Sequence, residues 1–154
     1  MKKVLFVCLG NICRSPLAQG VLEKHLAEAA KPLDARVDSA ATHAYHTGSP
    51  PDSRGIAAAA YRGIDISQQR ARSVSDNDFS GFDRIIAMDS SNLEYLQARC
   101  PESFRHKVVL FSDYIPGQHG VAVPDPYYGG EQGFEEVLDM LEQGMASLHQ
   151  ELQD

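Results

Sequence analysis

The first fifteen residues constrain this chain more than any other stretch. Val4, Leu5, Phe6 and Val7 form an unbroken apolar run. Four such residues in a row leave water no side-chain face to touch, which suits a strand buried on both sides in a parallel sheet. The run ends at Cys8, and a loop containing Gly10 and Asn11 follows. From Pro16 onward Leu17, Val21, Leu22, Leu26 and Ala29 recur at helical spacing. Pro16 fits the first turn of that helix because its missing N–H would be unpaired there. A buried strand running through a tight loop straight into a helix is the opening unit of an α/β fold, with this strand at the centre of the sheet.

The rest of the chain repeats the alternation. Residues 37–41, 84–88 and 107–111 read as three further short strands. Residues 42–51, with Gly48 and two prolines, form a loop leading into a helix through Ile56, Ala57 and Ala60 that Gly63 ends. A helix between the third and fourth strands begins near Ser91 and Glu94, which stand in capping-box spacing. Residues 120–130 fit neither period and read as a loop. Beyond them Phe134, Val137, Leu138, Leu141, Met145 and Leu148 share one helical face that packs on the sheet. Four strands alternating with helices mean α/β with a parallel sheet. At 154 residues and 43% hydrophobic content, residues 1–154 are expected to form a single domain.

Composition narrows the function. A formal net charge of -7 argues against a nucleic-acid partner, whose phosphates need a basic face. Any phosphate site must therefore be local, built from backbone dipoles and one or two arginines. Lys2 and Lys3 before the apolar run faintly resemble a leader peptide, but Gly10, Asn11 and Arg14 end the run too early, and no other segment is expected to span a membrane. Three cysteines, Cys8, Cys13 and Cys100, make an odd set with one close pair, so a reducing cytoplasm is the expected compartment. His43 and His46 have no further ligand at metal spacing, and neither a metal nor a cofactor is expected.

The loop is where the chemistry lies. Cys8, Leu9, Gly10, Asn11, Ile12, Cys13, Arg14 and Ser15 stand between a buried strand and a helix N-terminus, where backbone N–H groups and the helix dipole converge on an anion. Those amides and Arg14 favour a thiolate at Cys8, which is the nucleophilic form. Arg14 offers a planar, permanently charged fork that takes two phosphoryl oxygens at once. Gly10 and Asn11 tolerate the left-handed backbone that a ring of inward-facing amides requires. In isolation such a cysteine and arginine would read as a buried small hydrophobe and a solvated first-turn residue. The strand before and the helix start after them turn the loop into a phosphate cradle.

C-L-G-N-I-C-R-S-P at residues 8–16 closely resembles the signature of low-molecular-weight protein tyrosine phosphatases. D-P-Y-Y-G at residues 125–129 resembles that family's second motif, and residues 37–42 and 87–92 resemble further family segments. The resemblance implies a three-layer fold with helices on both faces of a four-stranded parallel sheet of order 2-1-3-4. It implies hydrolysis of phosphotyrosine in proteins, and of small aryl phosphates, through a phosphocysteine on Cys8 with Arg14 binding the phosphoryl group. Composition alone cannot choose an acid among 21 acidic residues; the resemblance assigns Asp125 as general acid and then base. Tyr45, Tyr127 and Tyr128 match aromatic walls that admit an aryl phosphate. Ser15 matches a serine hydrogen-bonded to the nucleophile, while Asn11, Ser39 and Asp89 match polar supports of the loop.

Cys13 matches a cysteine linked to reversible protection of the nucleophile, although a small side chain filling space is an equal reading. Gln69 departs from the pattern, since many relatives carry a histidine near it, so the support of Asn11 is expected to be altered. Two rivals remain. A thiol-dependent arsenate reductase would need a relay of further cysteines, and Cys100 stands alone. A module that merely holds phosphotyrosine would need neither an activated thiol nor an acid.

Overall fold

The computed structural model describes residues 1–154. Four parallel strands, β1 (Lys2–Cys8), β2 (Ala35–Ala41), β3 (Arg84–Ala87) and β4 (Val108–Leu110), form one sheet in the order β2-β1-β3-β4. β1 pairs with β2 on one side, Phe6 opposite Ser39 and Cys8 opposite Ala41, and with β3 on the other, Val7 opposite Ala87. The strand order and the central place of β1 agree with expectation.

Alternation along the strands divides the interior. Val4, Phe6 and Cys8 of β1, with Ile86 of β3, face a core shared with helices α1 (Arg14–Glu28), α2 (Ser53–Tyr61) and α5 (Gly130–Gln153). Leu5 and Val7, with Ile85 and Ala87, face a second core closed by α3 (Asp76–Gly81) and α4 (Ser90–Arg99). This is why β1 is apolar from Val4 onward, where both of its faces are interior. The six residues that marked the apolar face of the last helix are all buried.

Three local features differ from the sequence reading. The capping role foreseen for Ser91 and Glu94 belongs to Asp89, whose Oδ1 accepts the amide of Asn92 at 2.8 Å, so the cap of α4 lies two residues earlier. Helix α3 was not foreseen, because its six residues are too short for a periodic signal. Its start was nevertheless encoded: the amide of Ser75 donates to Asp78 at 2.8 Å, the return bond of a capping box. Within the expected loop at 120–130, Pro126–Tyr128 winds into one 3-10 turn before α5 begins.

α1 lies close against the segment that follows α2. A Cβ built on Gly20 would stand 2.6 Å from Cγ2 of Ile66 and 2.8 Å from Cγ2 of Ile64, both buried branched side chains. Gly20→Ala would gain about 1 kcal/mol of helix propensity but meet overpacking of about 1–3 kcal/mol. The expected outcome is a net loss of stability, read as a lower urea midpoint at unchanged slope; a raised midpoint would show that the segment yields.

The sheet order places the site. The connection from β1 runs toward β2 and that from β3 toward β4, so the crevice at the carboxyl ends of β1 and β3 is a topological switch point, where open α/β sheets bind ligands. Cys8 ends β1, and Asp89 lies two residues past β3.

Candidate active site

At the end of β1 the chain turns through residues 9–13 and enters α1 at Arg14. The turn depends on Asn11, the one non-glycine residue with positive φ, at 58°. Asparagine adopts this left-handed geometry at lower cost than most side chains. Its amide Nδ2 donates to Ser15 Oγ at 2.8 Å and to Ser39 Oγ at 2.9 Å, and its Oδ1 accepts the amide of Arg72 at 3.1 Å. Because Ser15 Oγ already accepts from Asn11, its own proton is free to point at Cys8 Sγ, 3.1 Å away. The amide of Ser15, in the first turn of α1, approaches the same sulfur at 3.5 Å. A thiolate there would face a hydroxyl, a backbone N–H and the positive end of a helix.

Gln69 enters this network through Ser39. Ser39 Oγ donates to Gln69 Oε1 at 3.5 Å, and Gln69 Nε2 donates to the carbonyl of Pro16 at 3.1 Å. Asn11 therefore keeps its full set of partners despite the departure at this position. Arg72, which sequence reasoning missed, anchors the same corner: it pairs with Asp38 at 3.1 Å and Asp78 at 3.0 Å while its amide holds Asn11.

Arg14 is buried, its side chain only 3% exposed. Nη1 donates to Asp89 Oδ2 at 2.6 Å and to the carbonyl of Val123 at 3.1 Å, while Nη2 lies 3.7 Å from Asp125 Oδ2. Burial by itself would depress the guanidinium, but Cys8, Asp89 and Asp125 around it outweigh that and hold it above its ordinary value. Its Nε is buried with no partner. A charged donor left unpaired in the interior costs more than the roughly 1–3 kcal/mol of a neutral one, so the site is built to receive an acceptor. Asp89 does two jobs at once, since Oδ1 caps α4 and Oδ2 orients Arg14.

Above the loop opens a cavity of about 220 Å³. Cys8, Leu9, Gly10, Ile12, Cys13 and Arg14 form its floor, and Tyr45, His46, Asp125, Tyr127 and Tyr128 its walls. Asp125 is half-exposed, with Oδ1 accepting the amide of Tyr127 at 3.0 Å. Tyr127 and Tyr128 meet edge to face at 4.8 Å, and Tyr45 stacks on His43 at 5.3 Å. The side chains of Asn11 and Ser15 lie beneath the cavity as its scaffold, as does Ser39 behind them. Cys13 sits in the floor among Asp52, Cys8 and Asp125; burial first, then these neighbours, push its thiol up to about 12. Cys100 is buried elsewhere, its thiol donating to the carbonyl of Pro101 at 3.4 Å.

The sequence reading gave no site role to two residues that stand in or beside the cavity. His46 leans over Gly10, where a Cβ would stand 3.0 Å from its Cδ2, so the glycine also makes room for the histidine. Only its place beside Tyr45 could have signalled it. Arg54 donates to the carbonyl of Tyr127 at 2.8 Å, a contact no sequence spacing marks.

Known proteins resemble this chain over nearly its whole length. Residues 3–154 match the family described as low molecular weight phosphotyrosine protein phosphatase. The protein of that name from Homo sapiens is 44% identical over 138 residues, covering 88% of this chain and 86% of the relative, and the one from Schizosaccharomyces pombe is 45% identical over 135 residues, covering 86% and 85%. Among solved structures, a protein tyrosine phosphatase from Entamoeba histolytica with Hepes in its active site superposes with a TM-score of 0.94 at 41% identity, covering 99% of this chain and 97% of the other. Vibrio vulnificus Wzb in complex with benzylphosphonate gives 0.84 at 27% identity, covering 97% and 98%.

Proposed function

The chain belongs to the low molecular weight phosphotyrosine protein phosphatase family, and on that premise we propose that it hydrolyses phosphotyrosine in two steps through a phosphocysteine on Cys8. In the first step the Cys8 thiolate attacks phosphorus as the bond to the phenolic oxygen breaks, and the carboxylic acid of Asp125 gives that oxygen its proton. Arg14 and the loop amides take the charge on the equatorial oxygens. In the second step the Asp125 carboxylate removes a proton from water, which attacks phosphorus, expels the thiolate and releases inorganic phosphate. Ser15 Oγ, 3.1 Å from Sγ, steadies the thiolate both when it attacks and when it leaves.

The observation that carries this reading is the buried guanidinium of Arg14, with an unpaired Nε, beside Cys8 at a helix N-terminus. The mouth names the substrate class. Tyr45, Tyr127 and Tyr128 offer aromatic faces to a phenyl ring, contacts that a phosphoserine, having no ring, cannot make. The benzylphosphonate bound by the Vibrio relative has that same chemistry. Leu9 and Ile12 line the floor beside the ring. One sheet with a core on each face supports one phosphatase domain over residues 1–154, and three unpaired cysteines suit a reducing cytoplasm.

The test is release of phosphate from a phosphotyrosine peptide in the presence of a metal chelator, with the phosphoserine counterpart inert. Arsenate-dependent oxidation of a thiol reductant, with aryl phosphates inert, would instead establish the reductase reading; Cys100 lies outside the cavity lining that reading would need.

Cys13 suits the role of resolving thiol by position. Peroxide would oxidise the Cys8 thiolate to a sulfenic acid, and Cys13 would displace water from it to form a disulfide that an external thiol reduces. Burial raises the Cys13 thiol to about 12, so it is mostly protonated at neutral pH. Peroxide-treated protein should regain activity on thiol addition, whereas Cys13→Ser should not. Equal recovery by the two would remove Cys13 from this role.

A further inference from the structure

We propose that Arg54 is a positioning residue for the acid: its guanidinium latches the carbonyl of Tyr127 and so sets where Asp125 stands over the leaving oxygen. This rests on the reading of Asp125 as general acid.

The reasoning starts from what holds the acid-bearing segment. Upstream, the amide of Val123 donates to the carbonyl of Met88 at 2.9 Å, and Arg14 Nη1 donates to the carbonyl of Val123 at 3.1 Å. Downstream Pro126 packs against Gly133 of α5, but the backbone hydrogen bonds of the turn are internal. Tyr127 N donates to Asp125 Oδ1 at 3.0 Å, and Gly129 N donates to the carbonyl of Pro126 at 3.0 Å. Those two bonds fix the shape of the turn but not its place. The hydrogen bond that reaches it from another element is Arg54 Nη2 to the carbonyl of Tyr127, at 2.8 Å.

Arg54 is itself rigidly held. Nε and Nη2 grip Asp52 Oδ1 and Oδ2 at 3.0 and 2.9 Å, a two-pronged pairing that fixes the plane of the guanidinium. Its carbon end lies 5.0 Å over the ring of Phe134. Asp52 caps α2 by accepting the amide of Arg54 at 2.9 Å, and its own amide donates to the carbonyl of Ile12 in the phosphate loop at 2.8 Å. The Arg54 hydrogen bonds also hold the Asp52 carboxyl below its ordinary range. A continuous set of bonds thus runs from the floor of the cradle, through Asp52 and Arg54, to the turn that carries the acid. A lysine could not serve both ends, because an ammonium lacks the planar fork.

A surface ion pair with no such role would contribute little beyond roughly 1 kcal/mol of stability, and leaving-group dependence separates the two cases. Phenolate needs protonation as it departs, and p-nitrophenolate scarcely does, so a displaced acid slows phenyl phosphate far more than p-nitrophenyl phosphate. The expected result for Arg54→Gln is a fall in kcat/KM of about tenfold with phenyl phosphate and no more than about twofold with p-nitrophenyl phosphate. Arg54→Lys should fall between, and Arg54→Gln should change neither rate when added to Asp125→Ala. Partial unfolding lowers both substrates by one factor and leaves their ratio alone. Equal losses on the two substrates, or an undiminished effect in the Asp125→Ala background, would overturn the latch. If Asp125→Ala itself treats the two esters alike, the acid assignment falls and the latch with it. Should Asp125→Ala discriminate between them while Arg54→Gln does not, the latch alone is lost.

Discussion

Cys8→Ser is expected to stop turnover while leaving the cradle able to bind oxyanions. The substitution exchanges sulfur for oxygen in a nearly fully buried position, so Asn11, Ser15 and Ser39 keep their hydrogen bonds to one another. A serine hydroxyl keeps its proton at neutral pH, however, and nothing in the loop can remove it: the groups around the sulfur are donors, the hydroxyl of Ser15, its amide and the Arg14 guanidinium. Loss of a covalent nucleophile costs on the order of 10⁴-fold or more in kcat. Release of p-nitrophenolate measures it, and binding of inorganic phosphate, followed by thermal shift, should persist. Undiminished hydrolysis by this variant would assign the attack to another group. Acid quench of the unaltered protein during turnover should, in parallel, trap phosphate on the peptide that contains Cys8.

Asp125→Ala is expected to cost about 10² to 10⁴-fold in kcat/KM for phenyl phosphate, the usual worth of a positioned general acid. The fold should barely notice, because the side chain is 39% exposed and its internal bond is to the amide of Tyr127. The second step should suffer as well, since the same carboxylate is the one proposed to activate water. The variant is then expected to hold phosphotyrosine peptides long enough to retain them as a trap. A loss of similar size on p-nitrophenyl phosphate would point to a general disturbance of the pocket rather than to a missing proton.

The parts of this protein that could be read in advance were those where one short stretch of chain carries the whole signal. β1 is recognisable because from Val4 onward it is buried on both faces and so apolar without a break. The cradle is recognisable because a strand end, a left-handed Asn11 and a helix start lie within eight residues. α5 is long enough for its buried face to repeat. What escaped was made of pairs distant in sequence. Arg54 and Tyr127 meet only because α2 and α5 pack together, and Arg72 serves Asn11 through a backbone amide that any residue type could offer. Gln69 shows the same limit from the other side. Its departure from the family's usual histidine suggested altered support, and Ser39 carries the connection to Gln69. α3 escaped for lack of length.

Asp89 shows how one position can answer to two unrelated demands. Serine, threonine or asparagine would begin α4 as well as aspartate does. None of them carries the negative charge that steers Arg14, 75 residues earlier in the chain. The amino acid that opens this helix is therefore chosen by Arg14, the arginine proposed to bind the phosphoryl group. An ordinary rule of helix starts, which would tolerate free exchange among four residue types, is narrowed here to one.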